Sequence, residues 1–209
     1  MLGTVPTKIA RVITDLALHP HYIPRCVTHN LINGTTPLDL GMPWFSYAAI
    51  DFLDEFVRPE MTVCEYGSGG STLFFARRTQ SVFAIENDPK WFEFVTRRLK
   101  ENEITNATLQ LHPFDFKNPE GFEHSAYLHA IPDRRFDIIV VDGSEEWQQV
   151  RPICFQKAEA RVKRGGIIVV DDSWRYPALR EQNAAQHFQT FRSVGPCRPG
   201  VTTTDVFFY

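Results

Sequence analysis

The stretch from Thr62 to Thr72 constrains the fold more than any other part of the chain. A short apolar run ends in Glu65, three glycines follow within four positions, and a helix-like pattern comes next. Strand, glycine turn and helix in this order form a nucleotide-binding corner, because glycine permits positive φ and close backbone approach while the helix N-terminus offers free N–H groups. The acid before the glycines argues against a bare phosphate cradle, since a carboxylate repels phosphate and instead accepts from an ammonium or amide group.

Further strands follow at the spacing of an α/β fold. Residues 81–86 form an apolar run that ends in Glu86, which lies 19 residues beyond Gly67. A βαβ unit places the carboxylate that binds ribose hydroxyls at this distance. Alternation predicts a third strand over residues 107–112, with Asp115 just beyond it.

Two nearly continuous β-branched runs, residues 136–141 and 166–170, are typical of central parallel strands that are covered on both faces. Asp142 follows the first run, and Asp171 and Asp172 follow the second. Periodicity and helix-end signals predict helices over residues 4–18, 44–57, 89–99, 145–163 and 174–188, and a final strand pair over 188–194 and 202–209.

These motifs carry a resemblance to a known family. Glu65-x-Gly67-x-Gly69 resembles motif I of the class I S-adenosylmethionine-dependent methyltransferases, and residues 85–91 and 136–172 resemble further parts of that family. The resemblance covers residues 44–209 and implies a methyltransferase domain there, preceded by a helix-and-loop extension over residues 1–43. It implies an α/β fold with a Rossmann-like, seven-stranded, mostly parallel sheet, helices on both faces and an antiparallel C-terminal strand.

The same resemblance implies a site for S-adenosylmethionine. Glu65, Gly67, Gly69 and Ser71 would surround its amino-acid part, with Glu65 also anchoring the turn through hydrogen bonds. Glu86 would bind the ribose, Asp115 would lie near the adenine, and Asp142 would lie close to the methionine end.

The prediction of the methyl acceptor depends on the three acids at the ends of the central strands. Asp142, Asp171 and Asp172 resemble the set that holds a divalent cation such as Mg²⁺ in catechol-type O-methyltransferases, where the metal lowers the pKa of a hydroxyl. That family commonly has Asn at the third position, and strand-end acids also occur in related methyltransferases without metal. Without a metal, the catalytic base could be Asp171, Asp172 or a nearby histidine. We expect a small-molecule acceptor, methylated at oxygen.

Two other classes of function remain open from sequence. An NAD(P)-dependent oxidoreductase of the Rossmann type also has glycines followed by an acid, but its fingerprint needs Gly or Ala where Thr72 stands. A non-catalytic S-adenosylmethionine-binding module would keep the motifs and lack the chemistry.

Composition narrows the expected partners and location. A net charge of −3 and the lack of a long basic stretch argue against a nucleic-acid acceptor. No apolar run approaches the ~20 residues of a membrane span, and four scattered cysteines suggest reduced thiols. We therefore expect a cytoplasmic enzyme with no membrane partner; the sequence does not indicate an oligomeric state.

Overall fold

A seven-stranded sheet forms the centre of the fold in the computed structural model, which describes residues 5–31 and 35–209. The strand order is β3-β2-β1-β4-β5-β7-β6. β1 to β5 run parallel, whereas β7 lies antiparallel to both β5 and β6. The predicted fold class, including the antiparallel C-terminal strand, is confirmed. The strands are β1 Thr62–Tyr66, β2 Ser81–Glu86, β3 Ala107–Leu111, β4 Phe136–Val141, β5 Val162–Val170, β6 His187–Val194 and β7 Val201–Phe208.

Helices cover both faces of this sheet, and side-chain caps fix where several begin. The Ser46 hydroxyl accepts from Ala49 N (3.2 Å) at the start of α4. Asp88 accepts from Lys90 N and Trp91 N (2.8 and 3.0 Å) at the start of α6, as expected for an Asp N-cap. The helices are α1 Val5–Leu18, α2 Ile23–Leu31, α3 Pro37–Leu40, α4 Tyr47–Phe56, α5 Gly70–Ala76, α6 Pro89–Glu101, α7 Ala126–His129 and α8 Val150–Glu159.

The central strands are apolar on both faces because each face has its own core. Val63 and Val140 pack with α4 and α5 on one side, whereas Cys64 and Val141 pack with α8 on the other. Neighbouring residues of a strand point to opposite faces, so continuous burial needs the continuous apolar runs seen in the sequence. This arrangement leaves only the strand ends open for a polar site.

Residues 5–31 and 35–43 contact the rest of the chain at several points, and two of these contacts involve Asp15 and Met42. The buried carboxylate of Asp15 on α1 accepts from Val194 N on β6 (2.8 Å). A side chain at Gly70, the first residue of α5, would clash with the carbonyl oxygen of Met42. The division at residues 43 and 44 stays a prediction, and residues 1–4 and 32–34 of the predicted extension lie outside the described residues.

Two sequence expectations about local structure are wrong. Residues 174–188 form no long helix; 3₁₀ turns at Ser173–Arg175 and Pro177–Arg180 stand there, and the backbone N–H of Trp174 donates to Thr203 Oγ1 (3.0 Å). The helix predicted over residues 145–163 is shorter: α8 covers Val150–Glu159, and residues 162 and 163 belong to β5. The Gly165-Gly166 pair also lies within β5, where Gly165 N donates to Tyr209 O (2.6 Å).

No helix in the described parts of the chain is long and apolar enough to span a membrane.

Candidate active site

A cleft with a volume of about 1340 Å³ opens at the carboxyl ends of the parallel strands. Such strand ends are where open α/β sheets bind ligands. The cleft brings together the glycine turn, the acids that end β2, β4 and β5, and residues of α1 and of the β6–β7 hairpin. Its charged lining consists of Lys8, Arg11, Glu86, Asp88, Asp142, Glu145, Glu146, Arg151, Asp171, Asp172, Arg175, Arg192 and Arg198.

The glycine turn after β1 depends on Gly67. Its φ of +95° disfavours other residues, and a Cβ there would lie 2.6 Å from Asp142 O. Gly67 N donates to Ile85 O (2.8 Å), which ties the turn to β2. At Gly69 a Cβ would meet only ordinary contacts, with Trp91 at 3.6 Å, so Gly69 is not required by the turn itself.

Glu65 lies beneath this turn as an unsatisfied buried acid. The residue is fully buried, and neither carboxylate oxygen has a hydrogen-bond partner among the described residues. Burial raises the pKa of Glu65 to about 7; the nearby hydroxyls of Ser71 and Thr72 oppose the rise without making well-formed bonds to it. The expectation that Glu65 anchors the turn through hydrogen bonds is wrong. Gly69 N instead donates to Thr72 Oγ1 (3.0 Å).

In contrast, both carboxylate oxygens of Glu86 accept hydrogen bonds. One oxygen accepts from Asn87 N and Asp88 N (2.8 and 2.9 Å), and the other accepts from Ser68 N and Ser68 Oγ (3.2 and 2.6 Å). Burial raises the pKa of this carboxyl, and the four bonds oppose the rise. A carboxylate offers about four acceptor positions, so a ribose hydroxyl would have to displace the Ser68 hydroxyl.

The structure brings all but one of the other predicted cofactor residues to this region. Ser71 and Asp142 line the cleft with Gly67 and Gly69. Asp115 does not: it is exposed, and it accepts from Lys117 N (3.0 Å) and Asn118 Nδ2 (2.6 Å) in the loop after β3. Its position after a strand is that of a ligand residue, but its side chain closes a local turn.

Two arginines, Arg151 buried and Arg198 partly buried, neutralise the three strand-end acids. Arg151 on α8 lies 2.9 Å from an Asp142 oxygen and also donates to Asp171 O (2.7 Å). Arg198 contacts an oxygen of Asp171 at 3.3 Å and one of Asp172 at 3.1 Å. The acids are therefore matched by fixed cations that belong to the chain.

Two threonines of β7 complete this network. Thr204 Oγ1 donates to Asp171 and Thr202 Oγ1 donates to Asp172, each at 2.6 Å. Burial, followed by the charge of Asp142, raises the pKa of Asp171 to about 8 against the influence of Arg198. Burial alone would also raise the pKa of Asp172, but Arg198, Glu145 and Thr202 hold it below its usual range. Of these two neighbouring acids, Asp171 thus has the higher proton affinity, and Asp172 stays ionised.

The predicted divalent-cation site does not form. Asp142, Asp171 and Asp172 all line the cleft, yet no group of three His, Cys, Asp or Glu side chains in residues 5–31 and 35–209 has the arrangement of a metal site. The physical reason is the pair of guanidinium groups, which occupy the acids that would otherwise face a cation. The donor set does not fit Mg²⁺.

Sequence reasoning missed Arg151, Arg198 and Ser68. Arg198 lies in the Gly-Pro-rich connection between β6 and β7, where residue type alone suggests only a turn. A usable signal was the polar alternation of β7, which places Thr202 and Thr204 on one side of a strand that pairs with β5.

Comparisons with known proteins agree with the fold described above. Residues 64–173 match the profile of a family described as a methyltransferase domain. No curated protein matches the chain.

Solved structures share the fold at low identity. A protein from Klebsiella pneumoniae, provisionally assigned as an O-methyltransferase, is 14% identical with a TM-score of 0.62, and the match covers 97% of this chain and 99% of that one. An rRNA methylase from Streptococcus thermophilus is 14% identical with a TM-score of 0.55, over 84% and 98%. A provisionally assigned methyltransferase from Streptococcus mutans, in complex with SAH, is 12% identical with a TM-score of 0.55, over 83% and 98%.

Proposed function

The chain belongs to the methyltransferase-domain family as a class I S-adenosylmethionine-dependent methyltransferase, and we propose that its acceptor is a small molecule methylated at oxygen. The family sets aside the oxidoreductase and the non-catalytic module considered from sequence.

The residues present fit the sulfonium cofactor, and Glu65 is the observation that carries this fit. A buried, unpartnered carboxylate costs free energy unless a donor reaches it, and the amino-acid part of the cofactor brings an ammonium group. Glu65, Gly67, Gly69 and Ser71 would hold that part, Glu86 the ribose, and Asp142 the methionine end. When bound, S-adenosylmethionine supplies an electrophilic methyl group on sulfur.

The acids beyond the cofactor residues support transfer to oxygen. When a hydroxyl oxygen bonds to the methyl group, the S–CH₃ bond breaks, a thioether leaves, and the hydroxyl proton must go to a base. Asp171 is proposed as that base because it lines the cleft at the end of β5 and burial raises its pKa to about 8, whereas Asp142 is paired with Arg151 and Asp172 is held ionised by Arg198. Asp172, kept ionised by Arg198, would orient the hydroxyl. Arg198 supplies a fixed positive charge where the catechol-type enzymes use a metal.

Calorimetry and turnover test the proposal in two steps. We expect S-adenosylmethionine and S-adenosylhomocysteine to bind and NADH not to bind; binding of NADH alone would overturn the assignment. Release of S-adenosylhomocysteine is then followed over a panel of phenols, alcohols and amines, with and without EDTA.

Asp171→Asn tests the base. It should retain S-adenosylhomocysteine affinity and lose turnover by a factor of about 10² or more, the usual worth of a general base. Asp133→Asn, at a carboxylate that is 90% exposed, is the matched control. Full activity of Asp171→Asn, or methylation of amines only, would contradict the oxygen proposal.

A further inference from the structure

Three cations line the cleft without a well-matched acid. Lys8 and Arg11 lie three residues apart on α1, and Arg192 projects from β6. We call them the cationic wall. We propose that the cationic wall binds an anionic group, a carboxylate or phosphate, carried by the methyl acceptor. This inference rests on the proposed function, because it names the substrate class of the same cleft.

The position of the cationic wall places it on the acceptor side. The cofactor residues follow β1, β2 and β4, and the sheet order continues from β4 to β5, β7 and β6. α1 packs across β6 and β7. The cationic wall therefore lies on the β6 side of Asp171 and Asp172, away from the proposed cofactor residues at the ends of β1 and β2.

The ion pairs between described residues that line the cleft do not include these three cations. Asp142 is paired with Arg151, Arg198 is shared by Asp171 and Asp172, and Glu145 is paired with Arg175 (3.0 Å). Among the described residues, neither Lys8 nor Arg11 forms an ion pair.

Arg192 is only weakly matched. In the described part of the chain its acid partner is Asp15, with one carboxylate oxygen at 3.4 Å, and the other oxygen of Asp15 already accepts from Val194 N. Like charges on one wall of a cleft raise its positive potential and attract anions. The three cations can thus offer N–H donors to a ligand without breaking a strong internal pair.

An exposed aromatic ring gives the same region a flat apolar surface. Trp44 is 49% exposed, lines the cleft, and lies 5.3 Å from the guanidinium of Arg198. An acceptor that combines a planar body with an anionic group would contact this ring and the cationic wall together.

RNA is the other polyanion that such a surface could meet. Three cations neutralise few phosphates, and because phosphate neutralisation supplies most of the affinity of non-specific nucleic-acid binding, three contacts give only weak binding to RNA. Asp88 and Glu146 also line the cleft and would repel a longer phosphate backbone. The charges therefore favour a small anion over RNA.

Calorimetry on protein saturated with S-adenosylhomocysteine tests the inference. The probes are 4-hydroxybenzoate, phenyl phosphate and the neutral 4-hydroxybenzamide, compared in the wild type and in Lys8→Met/Arg11→Met. The control is Arg97→Met/Lys100→Met, which removes two exposed cations at the same spacing on α6, outside the cleft.

We expect at least one of the two anions to bind about tenfold or more tightly than the amide, a difference of about 1.4 kcal/mol. The α1 double variant should remove this preference and the control should keep it. An amide that binds as well as both anions, including the case where none binds, overturns the inference. So does an unchanged preference in the α1 variant, or a short single-stranded RNA that outcompetes both anions. Failure of S-adenosylhomocysteine to bind the wild type would instead refute the proposed function.

Discussion

Replacing Glu65 with glutamine separates the stability of the fold from cofactor binding. Burial raises the pKa of Glu65 from 4.5 to about 7. A carboxyl whose pKa is higher in the folded state binds more protons when folded, so its ionisation lowers the free energy of unfolding as pH rises. The loss begins near the unfolded value of 4.5 and is complete above about 7.

The magnitude follows from that difference in pKa. Relative to low pH, where Glu65 is neutral in both states, its ionisation lowers the free energy of unfolding by roughly 3 kcal/mol at about pH 8 and by roughly 1 kcal/mol at about pH 5. Glutamine carries no charge at either pH, so Glu65→Gln should gain stability that is larger by roughly 2 kcal/mol at the higher pH. The cost of burying the amide is the same at both and cancels from this comparison.

Urea unfolding of the ligand-free protein at the two pH values measures the effect. Affinity for S-adenosylhomocysteine, measured by calorimetry, should fall by a factor of about ten or more, since hydrogen bonds to a charged partner contribute about 1.5–3 kcal/mol. Glu120→Gln, at an exposed carboxylate, should change neither property. A stability change that is equal at both pH values, or an unchanged affinity, would refute the role given to Glu65.

Three further substitutions test the neighbouring contacts. Gly67→Ala should lower the unfolding free energy by about 1–3 kcal/mol and abolish S-adenosylhomocysteine binding, because its Cβ would meet Asp142 O, whereas Gly69→Ala should fold normally; equal thermal unfolding of the two would contradict this. Ser68→Ala removes the hydroxyl donor and frees one acceptor position on Glu86, so calorimetry should show unchanged or tighter cofactor binding, and a tenfold loss would show that Ser68 is itself a ligand. Arg198→Met removes the guanidinium partner of Asp171, which is buried, and of Asp172, which is partly buried. It should cost up to roughly 3–5 kcal/mol in urea unfolding, with Arg198→Lys losing less; a neutral Arg198→Met would contradict the charge matching.

The predictable parts of the fold are those that depend on residues close together in the sequence. Continuous apolar runs identified β4 and β5, because burial on both faces removes the usual alternation. The segment after β5 failed because its conformation is set elsewhere. The backbone of Trp174 bonds to Thr203, 29 residues away, and Pro177 interrupts the helical pattern.

The candidate site shows the same difference between features set by nearby residues and features set by distant ones. Glu65, Gly67 and Glu86 belong to short motifs and were predictable from spacing. The neutralisation of Asp171 and Asp172 was not, since Arg198 lies 27 and 26 residues from them and reaches them only through the pairing of β5 with β7. Asp115 follows β3, where a ligand residue is expected, but its side chain accepts hydrogen bonds from the neighbouring Lys117 and Asn118.

The bond from Val194 to Asp15 joins residues 179 apart in sequence. Among the described residues, none of the proposed cofactor residues from Glu65 to Asp142 has such a distant partner in α1. We therefore expect changes in α1 or β6 to alter the acceptor range while the binding of the methyl donor is kept. Because Asp15 joins the two segments, α1 and β6 should be exchanged together, with Arg198, Thr202 and Thr204 retained to hold Asp171 and Asp172.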